Sequence, residues 1–333
     1  MNFDFSDDQR AIKETARDLL ANRFKLERLR ELAESGTYAD EAWREVSELG
    51  WPGIFIAEEH GGQGLGIVEL VILLEELGYV LAPMPFLSNA AAGLILQDAG
   101  ATERLAGVAS GERRGTVGVV RDGRAALVPD AAEADFIVLL DGTEATLVER
   151  GDAQVEPIDA MDPTRRYASV TANGGGEPLG DVSRGRDLIA LAVAAELVGL
   201  SQRVMEMAVA YAKDRKQFDR PIGAYQAVSH KCADMLKQVE GARSLAYYAG
   251  WAADAAPDEF SLAASMAKAY ASDAGWDVSA NALQVHGGIG FTWEHDLHWF
   301  LKRAKTDGVL YGSARDHRER VAELAGLGAT AAV

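Results

Sequence analysis

Arg215, Lys216 and Gln217 close a helical stretch at the head of "DRKQFDRPIGAYQAVSHKCADM" (214–235), and Phe218 follows directly. Cations in a last helical turn complement the helix dipole and cap its free carbonyls. The other reading is a guanidinium fork, with an amide and a ring beside it, that could hold a diphosphate. A second stretch, "NALQVHGGIGFTWEHD" (281–296), sets Gly287, Gly288 and Gly290 behind a long helix. One glycine suffices for a left-handed helix stop. Three, followed by aromatic residues, point to a loop whose backbone approaches a ligand closely. His286, His295 and His298 lie nearby, the last two spaced to share a helix face, but no carboxylate–histidine spacing of a zinc site accompanies them. Glu196 stands inside the apolar run "AVAAELVGL" (192–200), either as a base or as a buried carboxylate paired with an arginine or set at a subunit contact.

Several chemistries have no motif here. P-loop, dinucleotide fingerprint and nucleophile elbow are absent, and "GGQGLG" (61–66) is not the spacing of a nicotinamide site. The 51 acidic and 33 basic residues give a formal net charge of -18, so nucleic acid or an anionic membrane meets net repulsion. A local basic patch remains free to hold an anion. Cys232 stands alone, which excludes an internal disulfide framework, and it reads as a small buried hydrophobe in a helix. The opening "MNFDFSDDQRAIKETARDLL" is acidic and amphipathic and lacks the features of a signal peptide, so a cytoplasmic location is expected. Glutamates interrupt the longest apolar stretches, and none is expected to reach the roughly 20 residues that span a bilayer.

These residues need elements to carry them. Apolar residues recur at three and four from Ser6 to about Gly100, which predicts four or five helices, with starts at Ser6 and near Asp40. Between them "WPGIFIAEEHGGQGLG" (51–66) must be a shaped loop. Short β-prone runs then alternate with turn signals from Gly111 to near Gly180, predicting a small antiparallel unit. From Ser183 the helical period returns, with long segments at 184–213, 222–254 and 258–285; the tail "GLGATAAV" reads as frayed. The fold class is α+β: a helical domain at 1–110, a reduced β domain at 111–182 and a helical bundle at 183–333.

With these parts in order, the chain resembles the acyl-CoA dehydrogenase family over nearly its whole length. The matching segments are "FSDDQRAIKETARDLL", "EEHGGQGLG", "RKQFDRPIGAYQ" and "QVHGGIGF", the last two being the specific ones. The resemblance implies an N-terminal helical domain, a middle β domain and a C-terminal four-helix bundle, assembled as dimers or tetramers. It also implies FAD as cofactor, with Arg215, Gln217, Phe218, Gln284, Gly287 and Gly288, and Gln226 beside them, covering the diphosphate and adenine of a flavin bound mainly to a neighbouring subunit. The substrate would be an acyl-CoA, and an electron-transfer flavoprotein would accept the electrons.

Family enzymes take the α-proton with a glutamate while hydride leaves the β-carbon for the flavin. That glutamate commonly follows a tyrosine late in the chain, where this sequence reads "LYGSA" and places Gly312. The family's alternative position, after an Asp-Leu pair on the first bundle helix, holds Ile189. Neither can accept a proton. The family's flavin-facing Thr-Glu-Pro loop and Trp-x-Thr strand are also missing between Gly111 and Gly180, where "RDGRAALVPDAAEADF" stands instead. The pattern resembles the base-lacking chain of bacterial α2β2 enzymes acting on steroid side chains and other bulky CoA thioesters. Alternatives are a self-sufficient homomer with a displaced base such as Glu196, a non-catalytic assembly subunit, and a flavin monooxygenase on the same fold.

Overall fold

Ser6 opens the first helix as expected: its hydroxyl accepts from Gln9 N (3.1 Å) while Gln9 Oε1 accepts from Ser6 N (3.0 Å). The computed structural model describes residues 4–327, so most of the expected frayed tail lies outside the described residues. Six helices precede the strands: α1 (Asp7–Arg23), α2 (Leu26–Ser35), α3 (Asp40–Glu48), α4 (Ile67–Tyr79), α5 (Phe86–Asp98) and α6 (Leu105–Ser110). Five of them lie between Ser6 and Gly100, within the four or five that the periodicity predicts, and α6 follows beyond that span. The loop 51–66 is built from two short 3-10 turns.

Seven strands follow: β1 (Gly115–Arg121), β2 (Arg124–Pro129), β3 (Phe136–Asp141), β4 (Glu144–Glu149), β5 (Ala153–Ile158), β6 (Tyr167–Ala172) and β7 (Glu177–Asp181). They form one sheet in the order β5-β6-β2-β1-β3-β4-β7. The expectation of an all-antiparallel unit is corrected at one ladder, since β1 and β3 run parallel from Gly115↔Phe136 to Val119↔Leu140. Alternation of side chains reports a strand's faces and not its direction. β1 and β2 are joined by the two residues Asp122 and Gly123 at φ 52° and 78°, the tight turn that matches strand twist.

The bundle consists of α7 (Ser183–Asp214), a two-residue strand pair β8 (Lys216–Gln217) and β9 (Arg220–Pro221), then α8 (Gln226–Ala255), α9 (Pro257–His286), α10 (Leu297–Asp307) and α11 (Ala314–Leu324). Two reversals of direction bring α9 back parallel to α7, so both helices end where α8 begins. Cys232 sits on α8 and is only partly buried. α7 contains a window that is long and apolar enough to cross a membrane, which the glutamate pattern did not anticipate. That window is 89% buried, because α4, α5, α8 and α9 all pack on it.

α4 crosses α7 with backbone against backbone. A Cβ on Gly78 would stand 2.1 Å from Glu196 O, and one on Gly199 would stand 1.7 Å from Glu75 O. Only glycine permits that approach. Buried Glu75 and Glu76 beside the crossing are paired, the first by Lys13 (3.1 Å) and Arg243 (3.1 Å), the second by Lys13 (3.0 Å) and Arg17 (2.7 Å).

Candidate functional site

The parallel run of α7 and α9 collects the predicted cofactor residues at one end of the bundle. Tyr211, one turn before Arg215, stacks on His286 (ring centroids 4.4 Å apart), and His286 meets His295 edge-on at 4.6 Å. This row of rings ties the end of α7 to the glycine loop after α9. Its histidines are thereby accounted for as packing groups: His286 Nδ1 lies 2.8 Å from Ala282 O, and His298 packs on Trp293 and Trp299. The expectation that His295 and His298 share a helix face fails, because α10 starts only at Leu297.

Arg215, Gln217, Gln226, Gln284 and Gly288 are exposed at this end, Gly287 partly so, and the Arg215 guanidinium has no hydrogen bond or ion pair among the described residues. Phe218 is 88% exposed and sits at φ 51°, with Asp219 at φ 62° completing the β8–β9 turn. A bulky residue in the left-handed region costs on the order of 1–3 kcal/mol. A two-residue hairpin turn requires positive φ at both central residues, and setting Phe218 at the first of them keeps its ring exposed.

The glycines divide by cause. Gly287 adopts φ 63°, ψ -141°, a conformation suited to glycine, while a Cβ on Gly290 would press within 3.0 Å of His286 Cβ. Gly288 has neither reason, since a Cβ there would meet nothing within 4 Å in this chain. Its bareness leaves an opening toward an outside group.

Gly312 lies elsewhere. It belongs to the connector between α10 and α11, at φ 113°, directly after Tyr311 at φ 57°. A Cβ on Gly312 would stand 2.7 Å from His317 Nε2. The connector's carbonyls face inward: His317 Nε2 lies 3.2 Å from Tyr311 O, and Lys268 Nζ donates to Asp307 O (3.0 Å), Gly308 O (3.3 Å) and Gly312 O (3.0 Å). Burial lowers the Lys268 ammonium to about 7, but three carbonyl acceptors are served by its charged form. Burial, then Lys268, pushes the His317 imidazole down to about 4, so it is neutral at physiological pH. Lys268 stands 18 residues before His286 on α9, which places Gly312 about 27 Å along the bundle from Gly287 at 1.5 Å per residue. Outside the connector a cleft of about 770 Å³ runs against the β1–β2 turn, with Arg121, Arg124, Tyr311 and Asp316 among its lining.

Ile189 is fully buried on α7 and brings no polar group. Glu196, the candidate replacement base, is corrected to a structural role. Arg165 Nη2 donates to both its oxygens (2.6 and 2.7 Å) and Arg303 Nη1 to Oε1 (2.6 Å). Burial alone would raise this carboxyl, but the two guanidinium groups outweigh it and hold it below the usual carboxylate range, away from that of a working base. The same network takes in Asp162 (Arg303 Nε, 2.5 Å) and Asp307 (Arg165 Nη1, 2.8 Å), clasping the β5–β6 loop onto α7 and α10. Burial, then Glu196, raises Asp307 to about 7. Sequence reading missed Arg165 and Arg303. The signal was present in α10, where Arg303 and Asp307 share a helix face with buried Trp299 and Phe300.

Comparison with known proteins matches the acyl-CoA dehydrogenase N-terminal domain over residues 6–110 and the acyl-CoA dehydrogenase C-terminal domain over 187–325. The chain belongs to the acyl-CoA dehydrogenase family. The acyl-CoA dehydrogenase IpdE2 of Mycolicibacterium smegmatis is 36% identical over 318 residues, 95% of this chain and 98% of that one. A variant of the Tcur3481–Tcur3483 steroid ACAD superposes with a TM-score of 0.88 at 26% identity, covering 98% of this chain and 99% of that chain. The ChsE4–ChsE5 complex from Mycobacterium tuberculosis superposes with a TM-score of 0.89 at 25% identity, covering 98% and 99%. Membership supports oxidoreductase chemistry on acyl-CoA, and the consistent cofactor is FAD. The residues present fit that group: an unpaired guanidinium, three glutamine amides and an open glycine backbone stand where a diphosphate and its adenine could be held.

Proposed function

We propose that this acyl-CoA dehydrogenase chain works as the base-lacking subunit of a heteromeric enzyme, completing the FAD site of a partner that supplies the catalytic carboxylate. The reaction is α,β-dehydrogenation of an acyl-CoA to the 2-enoyl-CoA, with electrons passing on to an electron-transfer flavoprotein. One observation carries the reading: Gly312, with its left-handed backbone and His317 behind it, replaces a base without leaving room for one. The two-residue β1–β2 turn supports it, since no loop remains there to face a flavin. Likeness to the steroid ACAD and to the ChsE4–ChsE5 complex favours two related chains and a bulky, steroid-like acyl group.

When bound, FAD supplies the hydride acceptor. The part of this chain is to neutralise diphosphate charge with Arg215, to hydrogen-bond through Gln284, Gln217 and Gln226, to pack Phe218 on a ring and to let the Gly287–Gly288 backbone approach. No proton is held or moved by its own residues at the reacting carbon, since Gly312 and Ile189 carry none and Glu196 is held by two arginines. The test is the visible spectrum of the purified chain, alone and co-expressed with candidate dehydrogenase partners. A colourless chain that yields a yellow, active mixture is expected; a flavin-saturated, active homomer would refute the division of labour.

A further inference from the structure

We infer that Arg30, on α2 of the N-terminal domain, is a positioning residue of the flavin half-site: it grips the chain on both sides of His295 and so fixes the far end of the glycine loop that follows α9. The inference rests on the half-site reading above and goes beyond it, since Arg30 acts through the loop and not on the cofactor.

The loop leaves α9 at Gly287 and ends where α10 begins at Leu297. Its near end is seated on His286, against whose Cβ Gly290 lies closely. Its far end is held from 266 residues away in the chain: Arg30 Nη2 and Nε donate to Asp296 Oδ1 (2.8 and 3.2 Å), and Nη2 also donates to Glu294 O (3.0 Å). A planar guanidinium serves a carboxylate and a carbonyl together, whereas a lysine ammonium on its flexible stem lacks that fork. The Arg30 side chain is 38% exposed, and a pair this open adds little to stability. What it fixes is geometry.

Asp296 stands at the N-cap of α10, where an aspartate ordinarily accepts from the first N–H groups of the helix. Here its side chain makes no such bond and faces Arg30 instead. His295 Nδ1 accepts from Leu297 N (3.3 Å), which requires a neutral imidazole with its proton on Nε2. The same ring meets His286 edge-on at 4.6 Å, and His286 stacks on Tyr211, one turn before Arg215. Arg30 thereby sets one ring that serves both the start of α10 and the row tying α7 to the loop.

Charge keeps His295 in that form. The groups around it are Glu294 and Asp296 on either side, Arg30 from α2 with Glu27 and Glu34 on the same helix, His286 from α9, and His298 and Lys302 on α10. Burial lowers the His295 imidazole, Asp296 raises it and Arg30 lowers it again. Without Arg30 the Asp296 carboxylate is unopposed, and His295 takes up a proton at higher pH. An imidazolium offers Leu297 no acceptor and stands against the positive end of α10.

The experiment measures the flavin dissociation constant of the co-expressed complex against pH, with thermal unfolding of each variant chain read separately. Arg30→Ala is expected to weaken flavin binding about tenfold, and increasingly so as pH falls from about 8 to about 6, the range in which a histidine titrates. Arg30→Lys should recover part of the affinity. Adding Asp296→Asn to Arg30→Ala should remove the acid sensitivity, because the unopposed charge is gone. Histidine NMR of the isolated chain should show His295 titrating at higher pH in Arg30→Ala than in the parent, while the unfolding temperatures agree. Unchanged flavin binding in Arg30→Ala overturns the inference. So does a loss that is equal at every pH or that tracks a fall in unfolding temperature, either of which assigns Arg30 to the fold alone. The half-site reading fails separately, on an Arg215→Ala complex that keeps its flavin or on a chain that purifies alone with full flavin.

Discussion

If Gly312 is committed to glycine by its backbone and by His317, adding one methyl group should be costly, and the cost should depend on His317. Gly312→Ala forces an L side chain to φ 113°, worth about 1–2 kcal/mol. It also brings a Cβ to 2.7 Å from His317 Nε2, so the ring must leave the carbonyl of Tyr311. A lost hydrogen bond of that kind adds about 0.5–1.5 kcal/mol. The total is about 2–3 kcal/mol. In a His317→Ala background the second part vanishes, leaving a coupling of roughly 1 kcal/mol between the two sites. Urea unfolding of the four proteins in this cycle measures it, provided the slopes agree. Equal costs in both backgrounds would show that His317 does not close the site, and no cost in either would dismiss the backbone argument too. The same logic expects Gly312→Glu to leave this chain without turnover of its own, although a positioned base is typically worth a factor of about 10² to 10⁴.

Three further outcomes can be checked. Glu196→Gln leaves Arg165 and Arg303 short of a counter-charge and should destabilise the chain by about 3–5 kcal/mol, while turnover per folded complex stays unchanged. Asp307 binds its proton near pH 7 in the folded chain against 3.8 ordinarily, so its contribution to stability is full below about pH 4 and is lost as pH rises through 7; Asp307→Asn should flatten the stability profile across that window. Phe218→Gly relieves a left-handed backbone and should raise stability by up to about 1 kcal/mol, yet lower the flavin retained by the assembled complex.

Much of this was legible in the chain. The three long bundle helices follow from their period to within a few residues, and Asp-Gly marks the β1–β2 turn. The parallel β1–β3 ladder was not legible, because period-two alternation is blind to direction. Nor was the ion network: Asp162, Arg165, Glu196, Arg303 and Asp307 converge only through the packing of the β5–β6 loop on α7 and α10. At the candidate site, glycine spacing pointed to an open backbone but could not divide Gly288 from Gly290. The reason for each is the space around it, and space is set by other elements.

The crossing of α4 over α7 also decides how the molecule can move. Where two helices touch through Gly78 and Gly199, backbone atoms interlock and neither helix can slide along the other without collision. The N-terminal helices and the bundle therefore behave as one rigid piece. The sheet joins that piece through its inner face, where Val117, Phe136, Val138 and Leu140 share one continuous core with α5 and the bundle, and Gly115 lets β1 approach Ala92 closely.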